Sequence, residues 1–201
     1  VYMQKNYDYT IELINDYESK YPNVKNKELL FFIKAESLYQ KKQYKQCISI
    51  FSEIQKKYPK TKMMAQILFS KACAYFNVLD DFKALNCLRE LIVKYPDLPE
   101  TKEAQFLIAE IYFKTGEYIT AIKFYLNTIS LYPNSEKSVK AIYKIGCCFY
   151  SLGKYDQTVK SMDRILAYKN MEDMKLSALY LKAKSLSFMR RFEEAIIIYN
   201  K

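Results

Sequence analysis

The dipeptide Tyr-Pro recurs at a constant interval, and no other feature of this sequence constrains the fold as strongly. It occupies positions 21–22, 58–59, 95–96 and 132–133, so successive copies lie 37 residues apart. A period of roughly 20 to 50 residues is typical of repeat proteins, in which each unit buries its apolar face only against its neighbours. The chain is therefore expected to form an array of about five and a half units rather than one globular core.

Two columns of small residues appear when the sequence is written in rows of 37. Small side chains are needed where two antiparallel helices approach most closely, so each column marks one helix of a pair. A short, mostly polar break separates the columns in each row, which predicts helix, tight turn and helix in every repeat. The first column holds Ala35, Ala72, Ala109, Gly146 and Ala183, and the second holds Cys47, Ala84, Ala121, Thr158 and Ala195.

Apolar residues recur at helical intervals on both sides of each break. The proline of each Tyr-Pro is expected to end the second helix, because it lacks an N–H and restricts the residue before it. We predict first helices over 26–41, 62–78, 100–115, 136–152 and 173–189, and second helices over 7–20, 44–57, 81–94, 118–131, 155–168 and 192–201.

The period also divides the chain into repeats. Both chain ends fall inside repeats, so we expect a segment of a longer protein or a chain whose ends were lost, because solenoid ends normally carry polar caps. Lys169-Asn170 replaces the fifth Tyr-Pro, and there we expect the geometry to depart most from regular. We predict one array, with the end of a partial repeat at 1–20, repeats at 21–57, 58–94, 95–131 and 132–168, and a truncated repeat at 169–201.

The third repeat resembles the tetratricopeptide signature. Its matching residues are Ile108-Ala109, Tyr112, Gly116, Tyr118, Ala121, Tyr125 and Pro133. The second repeat departs from the signature, since Asp81 stands where the others have an aromatic residue and Phe82 is displaced by one. Lys34, Lys71 and Lys182 also depart, because the general signature has Leu there. The resemblance implies an all-α fold, a right-handed superhelical solenoid of antiparallel helix pairs.

A narrower resemblance concerns the bacterial envelope members of this superfamily. The 37-residue period, the Tyr-Pro-Asn-Ser run at 132–135 and an aromatic residue three positions before each first-column residue are similar to those of outer-membrane-assembly lipoproteins and Tol-Pal coordinator proteins. This resemblance implies the bacterial periplasm or cell envelope, with the cytoplasm as the alternative. The chain begins at Val1, so a signal or lipid anchor would lie outside this sequence.

Catalytic and metal-binding residues are scarce. The chain has no histidine, no G-x-S-x-G motif and no phosphate-binding glycine loop, so we expect neither an enzyme nor a bound cofactor or metal. The five cysteines lack C-x-x-C spacing, and we expect buried free thiols. The adjacent Cys147 and Cys148 leave a redox sensor as the alternative.

The net charge of +10 raises nucleic acid, anionic membranes and acidic proteins as partners. The lysines are spread through every repeat instead of being clustered, which favours a solvated surface over a nucleic-acid site. No apolar stretch is long enough to span a bilayer, so any membrane contact is expected to be indirect or through an anchor outside this chain.

Two aromatic columns on the first helices form the candidate binding site. Their members lie seven residues apart within each helix and so share a face. The tetratricopeptide resemblance implies that this face lines a concave groove for a peptide or helical segment; the alternative is that the rings pack neighbouring first helices together. The candidate groove residues are Phe32, Glu36, Tyr39, Phe69, Phe76, Phe106, Glu110, Phe113, Tyr143, Tyr150, Tyr180 and Lys184.

The sequence thus predicts a non-catalytic scaffold that binds a protein partner, within a bacterial envelope assembly. One alternative is a static part of a secretion or motility machine, joined through its edges and convex face. The other is an electrostatic binder of nucleic acid or anionic lipid that uses the lysine-rich surface.

Overall fold

The structure, a computed structural model, describes residues 6–21, 27–168 and 172–200. These ranges contain eleven α-helices and no strand, which confirms the all-α prediction. The helices are α1 Tyr7–Lys20, α2 Lys27–Gln40, α3 Tyr44–Lys57, α4 Met64–Asn77, α5 Asp81–Lys94, α6 Pro99–Lys114, α7 Tyr118–Leu131, α8 Glu136–Ser151, α9 Tyr155–Leu166, α10 Glu172–Phe188 and α11 Phe192–Tyr199.

The chain divides into two compact units, 1–104 and 105–201. In the first unit, α1 to α5 pack in sequence order, and the first helices α2 and α4 also touch. In the second unit, α7 to α11 pack in sequence order, and α8 also touches α10. Packing between sequence neighbours is the arrangement expected of repeats that bury their apolar faces against one another.

The small-residue columns lie where the paired helices meet. Ala35 and Cys47 are fully buried in one core, and Ala109 and Ala121 are fully buried in another. At Gly146 a Cβ atom would lie 2.3 Å from Met162 Cε, so this first helix has no room for a larger side chain unless the methionine moves. The predicted close approach of the two helices is thus confirmed in these repeats.

A left-handed residue closes every turn between paired helices. The φ angle is positive at Lys42, Leu79, Gly116, Gly153 and Arg190, which share one column of the 37-residue period. The amide after this residue donates to a carbonyl five residues earlier, as from Gln43 to Leu38 at 2.9 Å and from Asp80 to Tyr75 at 3.0 Å. This is the hydrogen-bonding pattern of a Schellman cap, so the turn demands a left-handed residue even where glycine is absent.

Each Tyr-Pro ends a second helix as predicted. The amides of Tyr58, Tyr95 and Tyr132 donate to the carbonyl four residues earlier, at 2.8, 2.9 and 3.0 Å, and the following proline has no N–H to continue the helix. Helix α9 lacks this dipeptide and ends at Leu166, two residues before its predicted end, where the Tyr168 amide turns back to Ile165. Pro22, Lys169 and Asn170 lie outside the described residues.

The lysines that depart from the tetratricopeptide signature reach polar groups on the preceding second helix. Lys34 Nζ lies 3.1 Å from Glu18 Oε2, and Lys71 Nζ donates to Gln55 Oε1 at 2.6 Å. Lys182 makes the corresponding ion pair with Asp163. In these repeats an ion pair or a hydrogen bond therefore links adjacent repeats at the position where the general signature has Leu.

Replacing Leu79 with Gly is expected to raise the free energy of unfolding by about 0.5–1 kcal/mol. A residue with a side chain adopts the left-handed conformation only at a steric cost, which glycine avoids. This cost exceeds the destabilisation that comes from the greater freedom of glycine in the unfolded chain. Leu79 is 72% exposed, so little packing is lost. Urea unfolding monitored by circular dichroism measures the change. The reciprocal change Gly116→Leu, at a site where a Cβ meets nothing within 4 Å, should lower stability by a similar amount. A stabilised Gly116→Leu variant would contradict this account of the turn.

Candidate functional site

The predicted groove residues lie on first helices, and we refer to them together as the aromatic stripe. In the first unit, α2 carries Phe32, Glu36 and Tyr39, and α4 carries Phe69 and Phe76. In the second unit the stripe consists of Phe106, Glu110 and Phe113 on α6, Tyr143 and Tyr150 on α8, and Tyr180 and Lys184 on α10. Tyr180 is 60% exposed and the other members are half-buried, so each retains some accessible surface. Tyr2, which stands in the same column as Tyr39, lies outside the described residues.

The rings of the stripe pack on second helices of their own repeats. The ring centroids of Phe32 and Phe51 are 5.8 Å apart, and those of Phe106 and Tyr125 are 5.6 Å apart. Phe51 and Tyr125 are fully buried, so they anchor the stripe from beneath. Neither second-helix residue was among the predicted site residues, although both stand in one column of the 37-residue period.

Neighbouring first helices also touch through the stripe. The Asn77 side-chain amide donates to the Tyr39 hydroxyl at 3.2 Å, joining α4 to α2. In the second unit the ring centroids of Tyr150 and Phe188 are 5.8 Å apart, joining α8 to α10. The stripe therefore serves packing within and between repeats, and contact with a ligand remains a prediction.

The second repeat breaks the aromatic pattern for a local reason. Asp80 caps the N-terminus of α5 by accepting a hydrogen bond from the Lys83 amide at 3.1 Å, and Asp81 follows as the first helical residue. Phe82, displaced by one position, is 73% exposed.

Glu110 is neutralised within the protein. Its Oε2 lies 2.8 Å from Lys144 Nζ, and its Oε1 accepts a hydrogen bond from the Tyr125 hydroxyl. Lys144 also lies over the Phe113 ring, 5.0 Å from its centroid. The charge of this carboxylate is therefore compensated by neighbours on α7 and α8.

Glu36 occupies the corresponding position two periods earlier but is not compensated. Its Oε1 is the one buried side-chain oxygen or nitrogen, among the residues described, that has no hydrogen-bond partner. Burial raises the pKa of the Glu36 carboxyl, and a hydrogen bond from the Ser70 side chain offsets the rise only in part. The carboxylate thus lies in a position that disfavours its charge.

The difference between the two glutamates follows from the two positions that face them. Lys144 and Tyr125 correspond to Ser70 and Phe51 in the first unit. Serine supplies no positive charge and phenylalanine supplies no hydroxyl group, so both partners of Glu110 are missing at Glu36. Glu36 and Glu110 look equivalent in their own column of the sequence, and only the residues in the facing columns distinguish them.

All five cysteines are free thiols, and Cys47 and Cys148 are buried. Burial raises the pKa of Cys73 and of Cys148 to about 12, and it also raises the pKa of Cys147. Thiols of this kind hold little thiolate at neutral pH, so the environment of Cys147 and Cys148 does not favour the redox-sensor alternative.

Part of the basic surface is paired with carboxylates. Several lysines form ion pairs with a carboxylate one turn earlier on the same helix, and such exposed pairs contribute little to stability. They do neutralise part of the positive charge, which is consistent with a solvated face. The pairs at this spacing are Lys20–Asp16, Lys57–Glu53, Lys94–Glu90, Lys140–Glu136 and Lys160–Asp156.

The described residues offer neither a metal site nor a membrane-spanning helix. No group of three or more Cys, Asp or Glu side chains in the described ranges could hold a metal ion. No described helix is both long and apolar enough to cross a membrane.

Tetratricopeptide repeat models match most of the chain. One model matches residues 30–61, 66–98, 103–135 and 140–168, and a second matches 176–201. The chain belongs to the tetratricopeptide repeat family. Repeats of this family generally mediate the binding of protein partners and are generally non-catalytic, so the chain is a protein-interaction scaffold. No curated protein matches the sequence.

Solved structures share the fold at low identity. The C-terminal part of a tetratricopeptide repeat protein from Cytophaga hutchinsonii is 16% identical, with a TM-score of 0.80 over 98% of this chain and 73% of that one. A MamA protein is 16% identical, with a TM-score of 0.71 over 86% and 87% of the two chains. BtubC from P. vanneervenii is 12% identical, with a TM-score of 0.74 over 96% and 85%. These similarities establish the fold alone.

Replacing Glu36 with Gln is expected to raise the melting temperature at pH 7 by a few degrees. A carboxyl whose pKa is raised by folding stabilises the protein below its unfolded pKa of about 4.3, and this contribution is lost as pH rises through the folded value. The difference in melting temperature between Glu36→Gln and the wild type should therefore vanish near pH 4. Tyr39, Cys47 and Cys73, which interact electrostatically with Glu36, have pKa values raised to about 12 and do not titrate in this window.

Glu110→Gln is the matched control for this prediction. Because Glu110 is paired with Lys144, its replacement should lower the melting temperature at pH 7. Thermal melts from pH 4 to pH 8 compare the two variants. Equal destabilisation by both changes would contradict the described difference between the two sites.

Proposed function

We propose that the chain binds an apolar or amphipathic segment of a partner protein along the aromatic stripe. The observation that supports the proposal most directly is that Phe32 in the first unit and Phe106 in the second each pack on a fully buried second-helix residue, yet remain half-exposed. Anchored rings lose little conformational freedom when they bind, and aromatic anchors dominate the energetics of many interfaces.

The accessible part of the stripe fits a helix or an extended peptide. Within one helix, the two aromatic residues lie two turns apart on one face, so their rings form a line along the helix. A partner helix with apolar residues at helical spacing presents a complementary line of side chains.

Phe69→Ser is expected to weaken peptide binding at least tenfold, because a half-buried anchor is lost from the stripe. The probe is a set of 12-residue peptides selected from a random phage-displayed library on the wild-type protein, with affinity measured by fluorescence anisotropy. Phe82→Ser is the control, since Phe82 belongs to the same unit but lies off the stripe. Circular dichroism checks that both variants fold. Recovery of no peptides, or equal affinity of the wild type and the folded Phe69→Ser variant, would refute the proposal.

We also propose that the chain functions in a bacterial envelope assembly. The support is the 37-residue period with Tyr-Pro-Asn-Ser at 132–135, which resembles that of envelope proteins of this family. Fractionation of cells that express the full-length gene is expected to recover the protein from the periplasm or outer membrane. Recovery from the cytoplasm alone would refute the envelope assignment.

A further inference from the structure

The first unit contains a carboxylate that lacks the internal partners of its repeat equivalent. Glu36 lies on the aromatic stripe between Phe32 and Tyr39, with Oε1 buried and unpaired. A buried polar atom without a partner costs free energy, and a buried charge without a partner costs more. Such a group requires an explanation, because the Ser70 hydrogen bond compensates the carboxyl only in part and leaves Oε1 without a partner.

The second unit shows how this family fold can compensate the same glutamate. At Glu110, two periods later, Lys144 supplies a positive charge and the Tyr125 hydroxyl supplies a hydrogen bond. Single substitutions in the facing columns would bring these partners to Glu36: Lys at Ser70 and Tyr at Phe51. The fold therefore accommodates a charge-compensated glutamate at this position. In the first unit, Glu36 lacks both of these partners.

We propose that Glu36 is the receptor for a lysine or arginine side chain of the partner segment, and that Glu110 has no such role. This inference rests on the proposed function, because the cation would enter with a segment bound along the stripe. The cation would take the place that Lys144 occupies at Glu110, on the groove side of α2 and α4. Its apolar neighbours in the segment would contact Phe32, Tyr39 and Phe69.

The chemistry of the surroundings favours a cation over other ligands. Tyr39, Cys47 and Cys73 interact electrostatically with Glu36, and each has a pKa raised to about 12, so none is charged at neutral pH. An ion pair formed in this partly desolvated position is stronger than one on an open surface. Because the stripe supplies apolar contacts on both sides, the partner segment should carry a basic residue flanked by apolar ones.

The net charge of the chain makes this preference diagnostic. At +10, nonspecific electrostatic attraction favours acidic peptides and disfavours basic ones. An enrichment of lysine or arginine in bound peptides would therefore run against the overall field of the protein. It would require a local carboxylate that faces the ligand.

The experiment compares phage selections of random 12-residue peptides on three full-length proteins: wild type, Glu36→Gln and Glu53→Gln, a matched loss of an exposed carboxylate that lies off the stripe in the same unit. The wild type and Glu53→Gln should both enrich peptides with Lys or Arg between apolar residues. Glu36→Gln should still enrich apolar peptides but lose the basic residue. For a selected basic peptide, Glu36→Gln should weaken binding by about 10- to 100-fold, and replacing the peptide's basic residue with Gln should do the same.

Combining the Glu36→Gln protein with the Gln-substituted peptide then tests whether Glu36 contacts the basic residue of the peptide. The Gln-substituted peptide should bind the wild type and Glu36→Gln with similar affinity, since the pair is already broken. Apolar peptides without a basic preference on the wild type, or an unchanged basic preference on Glu36→Gln, would overturn the inference while leaving the proposed function intact. Recovery of no peptides on any of the three proteins would refute both.

Discussion

The close approach of two helices at paired small residues is the contact on which the rest of this structure depends. Ala35 meets the second helix near Cys47, and Ala109 meets its partner helix near Ala121, with all four fully buried. Because these side chains are small, larger residues one or two turns away can interdigitate, and the next first helix can cover them. The repeat then extends by the same packing, which explains why one period runs along the chain.

The arrangement of the aromatic stripe is a consequence of that packing. A second helix held close to the first places Phe51 or Tyr125 against a stripe ring, and the ring itself stays half-buried. The stripe rings are therefore structural and still partly accessible. Rings held in this way are rigid, and rigidity reduces the cost of ordering a surface when a partner binds.

Much of the fold could be predicted from the sequence because its strongest signals are local and periodic. The Tyr-Pro dipeptides end second helices through a missing N–H, and the small columns mark helix contacts, so both can be read from one row of the repeat. The left-handed turn was visible only at Gly116 and Gly153, because Lys42, Leu79 and Arg190 adopt the same conformation without the residue that usually signals it. The missing fifth Tyr-Pro indicates an irregular end for α9, but it does not predict that the helix ends as early as Leu166.

The candidate site was less predictable, because it depends on pairs of columns rather than on single ones. Lys34 pairs with Glu18, and Lys71 donates a hydrogen bond to Gln55, each across the contact between adjacent repeats. These partners become visible in the sequence only when the lysine column is compared with the column that faces it. The same comparison separates Glu110, which faces Lys144, from Glu36, which faces Ser70. A column of residues does not predict which side chains are buried. Burial is what makes the unpaired carboxylate of Glu36 costly in free energy.

The carboxyl carbon chemical shift of Glu36, followed by NMR as a function of pH, is the most direct measurement of the central claim. In the free protein the midpoint is expected above the usual glutamate pKa of about 4.3, because the carboxyl is buried without a cation. In complex with a selected basic peptide, the midpoint should fall, because the ion pair stabilises the charged form. An ordinary midpoint in the free protein, or a midpoint that the bound peptide leaves unchanged, would contradict the account.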